Sequence, residues 1–165
     1  MEPTSILIVD DHAVLRMGLA SLLNNQPGFK VVADAENADE ALAKAAQYHP
    51  DVVVMDLMIP GRNGVEITRE LIAREPNAKI LVLTSYSTST GIAAAIEAGA
   101  KGAILKSAPF EEITRAIREV ATGNNYLSAE IQRVLAEDPP LQTLTPRQLS
   151  VLRLMARGLS HPDIA

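Results

Sequence analysis

The chain has 165 residues, 47% hydrophobic and 21% charged, which is enough apolar material for a core and excludes disorder throughout. It contains no cysteine, so disulfides, thiolate metal sites and cysteine nucleophiles are excluded together. Its net charge of −5 carries no electrostatic footprint for nucleic acid. That charge is uneven: residues 1–127 hold 11 basic and 16 acidic residues, and residues 128–165 hold four of each. Only five residues are aromatic, so the core must be aliphatic. No apolar run reaches the ~18 residues of a membrane span. The start, Met1-Glu2-Pro3-Thr4, has no basic stretch to open a secretory signal. A cytoplasmic protein is expected, and the length fits one full domain plus an appendage.

Along the chain, apolar β-branched runs at 5–10, 30–36, 51–55, 79–84 and 102–105 alternate with helical patterns at 12–24, 38–48, 64–75, 88–99 and 109–122. Such alternation predicts βαβ units and a parallel sheet. Runs such as Ile6-Leu7-Ile8-Val9 and Val52-Val53-Val54-Met55 are apolar without interruption, as strands covered on both faces should be. The predicted fold class is α/β: a five-stranded, doubly wound (flavodoxin-like) parallel sheet of strand order 2-1-3-4-5. A short helix is predicted over 128–136 with Ser128 as N-cap, and Glu137-Asp138-Pro139-Pro140 reads as a linker. A new unit opens at Leu144, where Thr145, Pro146 and Gln148 form an N-cap, an N1 proline and a capping box. Leu144 and Leu149 can staple that helix, and Gly158 can stop it. Ser160 and Asp163 form a second capping box, two residues before the sequence stops at Ala165. The expected division is therefore 1–127, a helix and linker over 128–143, and a helical unit over 144–165.

The chemistry gathers at strand ends. Doubly wound sheets bind ligands beyond the carboxyl ends of their strands, where strand order reverses. Here the first strand ends in Asp10-Asp11, the third in Asp56, the fourth in Thr84 and the fifth in Lys106. Asp at a strand end is often only a turn former or cap. Three such carboxylates converging with a hydroxyl and an ammonium are harder to explain that way. Two unit charges at 4 Å repel by about 4 kcal/mol at an effective dielectric of ~20, so a cation must offset them. Lys106 is one such cation; a hard divalent ion is the other, and all-oxygen ligands select Mg²⁺ or Mn²⁺. A carboxylate beside that ion can attack phosphorus and form an acyl phosphate.

These segments identify a resemblance. Ile6-Leu7-Ile8-Val9-Asp10-Asp11-His12, Val54-Met55-Asp56-Leu57-Met58-Ile59-Pro60-Gly61, Leu83-Thr84-Ser85 and Gly102-Ala103-Ile104-Leu105-Lys106 resemble the receiver domain of bacterial two-component response regulators. Leu144-Thr145-Pro146-Arg147 and the stretch from Val151 to Ser160 resemble the start of a LuxR-type helix-turn-helix, so the chain looks like the NarL/FixJ class. The resemblance implies that Asp56 accepts the phosphoryl group. It implies Asp11, Asp56 and the Met58 backbone carbonyl as Mg²⁺ ligands, with Asp10 acting through water. It implies Thr84 and Lys106 as the phosphoryl-binding switch pair. The implied donor is the phosphohistidine of a sensor histidine kinase or a small acyl phosphate, and the implied output is a switch in DNA binding and transcription. In this class dimers often form through the first and fifth helices, so a weak phosphorylation-enhanced homodimer is expected, using faces of those helices or of the fifth strand and its neighbours; no membrane partner is expected.

Some residues depart from the family's pattern. Three before the lysine, many receivers carry Tyr or Phe; here Ala103 has no rotamer to switch. Tyr86, two after Thr84, is a substitute or a packing residue. Ser107 follows the lysine where proline is common, and a cis bond there would cost ~2.5–4 kcal/mol. His12, His49 and His161 lack metal-ligand spacing; His12 opens a helix and His49 ends one. The stretch 61–64 is too sparse for a phosphate cradle, and the first turn lacks G-x-G-x-x-G. A haloacid-dehalogenase-like phosphotransferase needs a second Asp two residues after the first, where this chain has Met58, so no enzyme turning over a separate substrate is expected. The alternative within the family is a receiver acting only through protein contacts. The second capping box is followed only by Ile164 and Ala165, so the recognition helix is expected to be missing and the 144–165 unit to be an incomplete helix-turn-helix.

Overall fold

The computed structural model describes residues 2–85 and 89–137. Six strands and six helices follow in order: β1 (Thr4–Val9), α1 (Ala13–Asn24), β2 (Phe29–Ala35), α2 (Ala38–Tyr48), β3 (Val52–Met55), α3 (Gly64–Arg74), β4 (Ile80–Thr84), α4 (Ser89–Glu97), β5 (Gly102–Leu105), α5 (Phe110–Ala121), β6 (Tyr126–Leu127) and α6 (Ala129–Glu137). Every strand pairs in parallel, in the order β2-β1-β3-β4-β5-β6. The doubly wound α/β sheet is therefore as expected, with one addition: β6, too short for any periodicity, extends the sheet beyond β5. The linker from Asp138 and the 144–165 unit lie outside the described residues, as do Tyr86 and His161.

Alternate strand residues feed two separate cores. Leu7, Val9, Val53, Met55, Val82 and Ala103 join one cluster with residues of α2, α3, α4 and α6. Ile6, Ile8, Val52, Val54, Leu81 and Ile104 join the other with residues of α1 and α5. Burial on both faces is the physical reason the strands read as unbroken apolar runs. Helices α2, α3 and α6 begin at side-chain caps, whereas α1 and α5 start without one. Asn37 and Asn63 each accept an N–H from the residue three ahead, Glu40 and Glu66, at 2.9 Å. Ser128 does the same for Ile131 at 3.2 Å, which places the expected cap on α6.

Gly102 explains how the extra strand fits. A Cβ there would lie 2.3 Å from the Tyr126 carbonyl oxygen, so only glycine lets β6 approach β5. Ala103 then pairs with Leu127, and its carbonyl accepts the Ser128 N–H at 3.2 Å.

Candidate functional site

The ladder between β1 and β3, with Val9 opposite Met55, fixes where the first carboxylates stand. Asp10 donates its N–H to the Ala35 carbonyl at 3.0 Å, and Asp56 donates its N–H to the Val9 carbonyl at 3.0 Å. Each thus leaves the sheet at the same edge, with Asp10 only 4% and Asp56 only 1% exposed. The Asp10 side chain also forms its turn, accepting the His12 N–H at 2.8 Å on Oδ1. The turn and the lysine contact use different oxygens of one carboxylate: Oδ2 lies 2.7 Å from Lys106 Nζ.

Asp56 is held on both oxygens. Oδ1 accepts the Met58 N–H at 3.1 Å, and Oδ2 accepts from Lys106 Nζ at 3.1 Å. Lys106 is aimed there by β5, and its own N–H donates to the Thr84 carbonyl at 2.8 Å. Burial alone would lower the Lys106 pKa, but hydrogen bonds and charges from Asp10 and Asp56 outweigh it, and the net shift is upward. The ammonium is therefore charged throughout the physiological range. Thr84 is fully buried as the last residue of β4, opposite Leu105. The chain continues from Lys106 to Ser107 through a trans peptide, like every other described bond.

Asp10, Asp11, His12 and Asp56 each offer one atom, all within 4.8 Å of one another, a cluster that could hold a metal ion. Asp11 Oδ1 is buried and has no hydrogen-bond partner. It lies 3.4 Å from His12 Nδ1, which is also 3.3 Å from Asp10 Oδ1. An orphaned carboxylate oxygen beside two other carboxylates fits a hard cation such as Mg²⁺. His12 opens α1 as expected, yet its ring also faces the carboxylates, a placement its sequence spacing did not signal. His49 behaves as a solvated helix end: it caps α2 in the left-handed region at φ 46° and lies 3.3 Å from Glu75 Oε1.

Two residues that shape the site escaped the sequence reading. A Cβ on Gly64 would sit 2.5 Å from the Asp56 carbonyl oxygen and 2.7 Å from Leu57 Cα, so glycine lets α3 start hard against the Asp56 loop. The available signal was a glycine at the first position of a capped helix, where it has no propensity advantage. The other residue is Arg16, whose Nη1 donates to the Asp10 carbonyl at 2.6 Å.

A parallel sheet with acidic residues at the ends of neighbouring strands and a lysine bridging them defines a receiver. Residues 6–118 match the family model of the response regulator receiver domain, and the chain belongs to that family. It is 35% identical over 168 residues to the DNA-binding transcriptional activator DevR/DosR of Mycobacterium tuberculosis, covering 97% of this chain and 77% of that protein. It is 37% identical over 174 residues to the oxygen regulatory protein NreC of Staphylococcus haemolyticus, covering 97% and 80%. Among solved structures, a LuxR-family two-component response regulator from Aurantimonas sp. SI85-9A1 superposes with a TM-score of 0.78 at 38% identity, over 82% of this chain and 97% of that one. The chain is a two-component response regulator whose relatives are DNA-binding transcriptional regulators of the NarL/DevR class. No helix among the described residues is long and apolar enough to cross a membrane.

Proposed function

We propose that this chain is the phosphoryl-accepting part of a cytoplasmic two-component regulator, and that Asp56 is the acceptor. The observation that carries this reading is the carboxylate of Asp56, buried at a strand end and held on one oxygen by the Met58 N–H and on the other by Lys106. Its plane is set before a donor arrives, which removes orientational cost from the attack. An Asp56 oxygen forms the bond to phosphorus while the bond from phosphorus to the imidazole nitrogen of a kinase phosphohistidine breaks, and the imidazole leaves. Asp11, Asp56 and the Met58 carbonyl would hold Mg²⁺ or Mn²⁺ directly and Asp10 would hold it through water, and the bound ion would neutralise the phosphoryl oxygens. Lys106 neutralises the same oxygens from the side of β5, and Thr84 donates its hydroxyl to them.

The product adds about −1.5 to −2 charge and strong acceptor oxygens. Thr84 and Lys106 answer that charge, and because they end β4 and β5, the response biases the β4–β5 face. Residues 144–165 resemble the start of a LuxR-type helix-turn-helix, and DNA binding is the output this switch controls. No separate substrate is turned over; loss of the phosphoryl group by hydrolysis is the only reaction beyond acceptance.

The test is phosphoryl incorporation from labelled acetyl phosphate and from a phosphorylated sensor kinase, with Mg²⁺ present. Wild type is expected to take up one phosphoryl group and Asp56→Asn none. Equal labelling of Asp56→Asn would overturn the assignment.

A further inference from the structure

Arg16 lies outside the acidic cluster and is nearly buried, with its side chain 12% exposed. Its guanidinium makes two short contacts through different nitrogens. Nε is 2.6 Å from Asp34 Oδ2, near the end of β2. Nη1 donates to the Asp10 carbonyl at 2.6 Å. That carbonyl belongs to the peptide joining Asp10 to Asp11, one residue beyond the last ladder position of β1, Val9. Fixing the carbonyl fixes the whole planar unit, including the Asp11 N–H and the direction in which Asp11 leaves the strand.

The anchor is itself braced. The Lys44 ammonium donates to the Asp34 carbonyl and lies 3.3 Å from Glu40 Oε1, while Asn37 Nδ2 donates to Glu40 Oε2 at 3.0 Å. A polar chain therefore runs from the start of α2, through the end of β2, to the peptide that carries both aspartates. The fork geometry matters: two contacts at an angle need two guanidinium nitrogens, which a lysine ammonium cannot place in the same way.

We infer that Arg16 is a positioning residue for cation binding, clamping the Asp10–Asp11 peptide against Asp34 so that the two carboxylates stand ready for Mg²⁺. This role rests on the reading of the acidic cluster as a Mg²⁺ site. Outer partners that orient metal ligands typically change metal affinity by roughly tenfold to a hundredfold. Asp34 acts only through Arg16, so removing both should cost no more than removing Arg16.

The experiment is calorimetric titration of the full chain with Mg²⁺, on wild type, Arg16→Met, Arg16→Lys, Asp34→Ala and the Arg16→Met/Asp34→Ala double variant, each shown by circular dichroism to be folded. Wild type is expected to bind. Arg16→Met should bind roughly tenfold or more weakly, Arg16→Lys should fall between them, and the double variant should match Arg16→Met. At saturating Mg²⁺, phosphoryl uptake by Arg16→Lys should recover to the wild-type level. Wild-type binding with an unchanged constant in folded Arg16→Met would overturn the role of Arg16 alone. Absence of Mg²⁺ binding by wild type would overturn the site and the role with it. If Arg16→Met fails to fold, Arg16→Lys and Asp34→Ala decide: wild-type affinity in both would overturn the role.

Discussion

Lys106 is the residue on which the electrostatics of the site turn. It stands 2.7 Å from one aspartate and 3.1 Å from another, both almost completely buried. Its pKa is raised in the folded chain, so its contribution to stability is complete below the unfolded lysine value of about 10.4 and is lost as pH climbs through the higher folded value. Denaturation measured across the alkaline range should show wild type losing stability in that window and Lys106→Met losing less; parallel curves would contradict the assignment. With the ammonium gone, Asp10 and Asp56 should bind Mg²⁺ more tightly than in wild type, a comparison that calorimetry reads directly. Thr68 gives a second test. It is fully buried in α3, and its hydroxyl oxygen has no hydrogen-bond partner. Thr68→Val keeps the shape and removes the orphan, so unfolding by guanidinium should show a gain of about 1 kcal/mol; a loss would mean the hydroxyl has a partner. At this scale the positions of Asp10, Asp11, Asp56, Thr84 and Lys106 at strand ends were legible, because strand ends in a parallel sheet are predictable from strand order. It did not disclose Arg16 or Gly64, because their roles lie in contacts with backbone atoms, which leave no periodic signature.

The elements were legible wherever periodicity had room to act. All five main strands and five main helices stand within two residues of their sequence bounds, since both-face burial and Asn caps are written in residue type. The strand β6 was not, at two residues, yet Gly102 inside an apolar strand was a cue that another backbone approaches closely. The consequence reaches Ala103. The position where many receivers carry an aromatic is fully buried here, paired with Leu127 and in one core cluster with Ile131 of α6. The edge strand and helix therefore close over the small methyl group. Gly102→Ala should break this docking. Hydrogen exchange is expected to show early loss of protection through β6 and α6 with β1 and β3 still protected; unchanged protection of α6 would refute the packing account.

At the scale of the whole molecule, two aliphatic cores flank one sheet, and the acidic edge is the place where β1, β3 and β5 present their charges together. Not all apolar side chains are consumed. On α1, Leu19 and Leu23 are buried, whereas Val14, Met17 and Leu22 are 87%, 67% and 52% exposed. On the fifth helix Ile113, Ile117 and Val120 are all buried, so of these two helices α1 carries the exposed apolar side chains. Sedimentation with and without beryllofluoride and Mg²⁺ should show stronger self-association in the activated state, weakened by Met17→Glu; a monomer at high concentration in both states would count against it. The switch itself depends on one strand-end carboxylate taking the phosphoryl group with a divalent cation beside it. Phosphorus NMR of the full chain with acetyl phosphate tests it most directly. One protein-bound acyl phosphate resonance is expected with Mg²⁺, absent after chelation and absent in Asp56→Asn. A resonance of phosphoester type, or one that persists in Asp56→Asn, would contradict it.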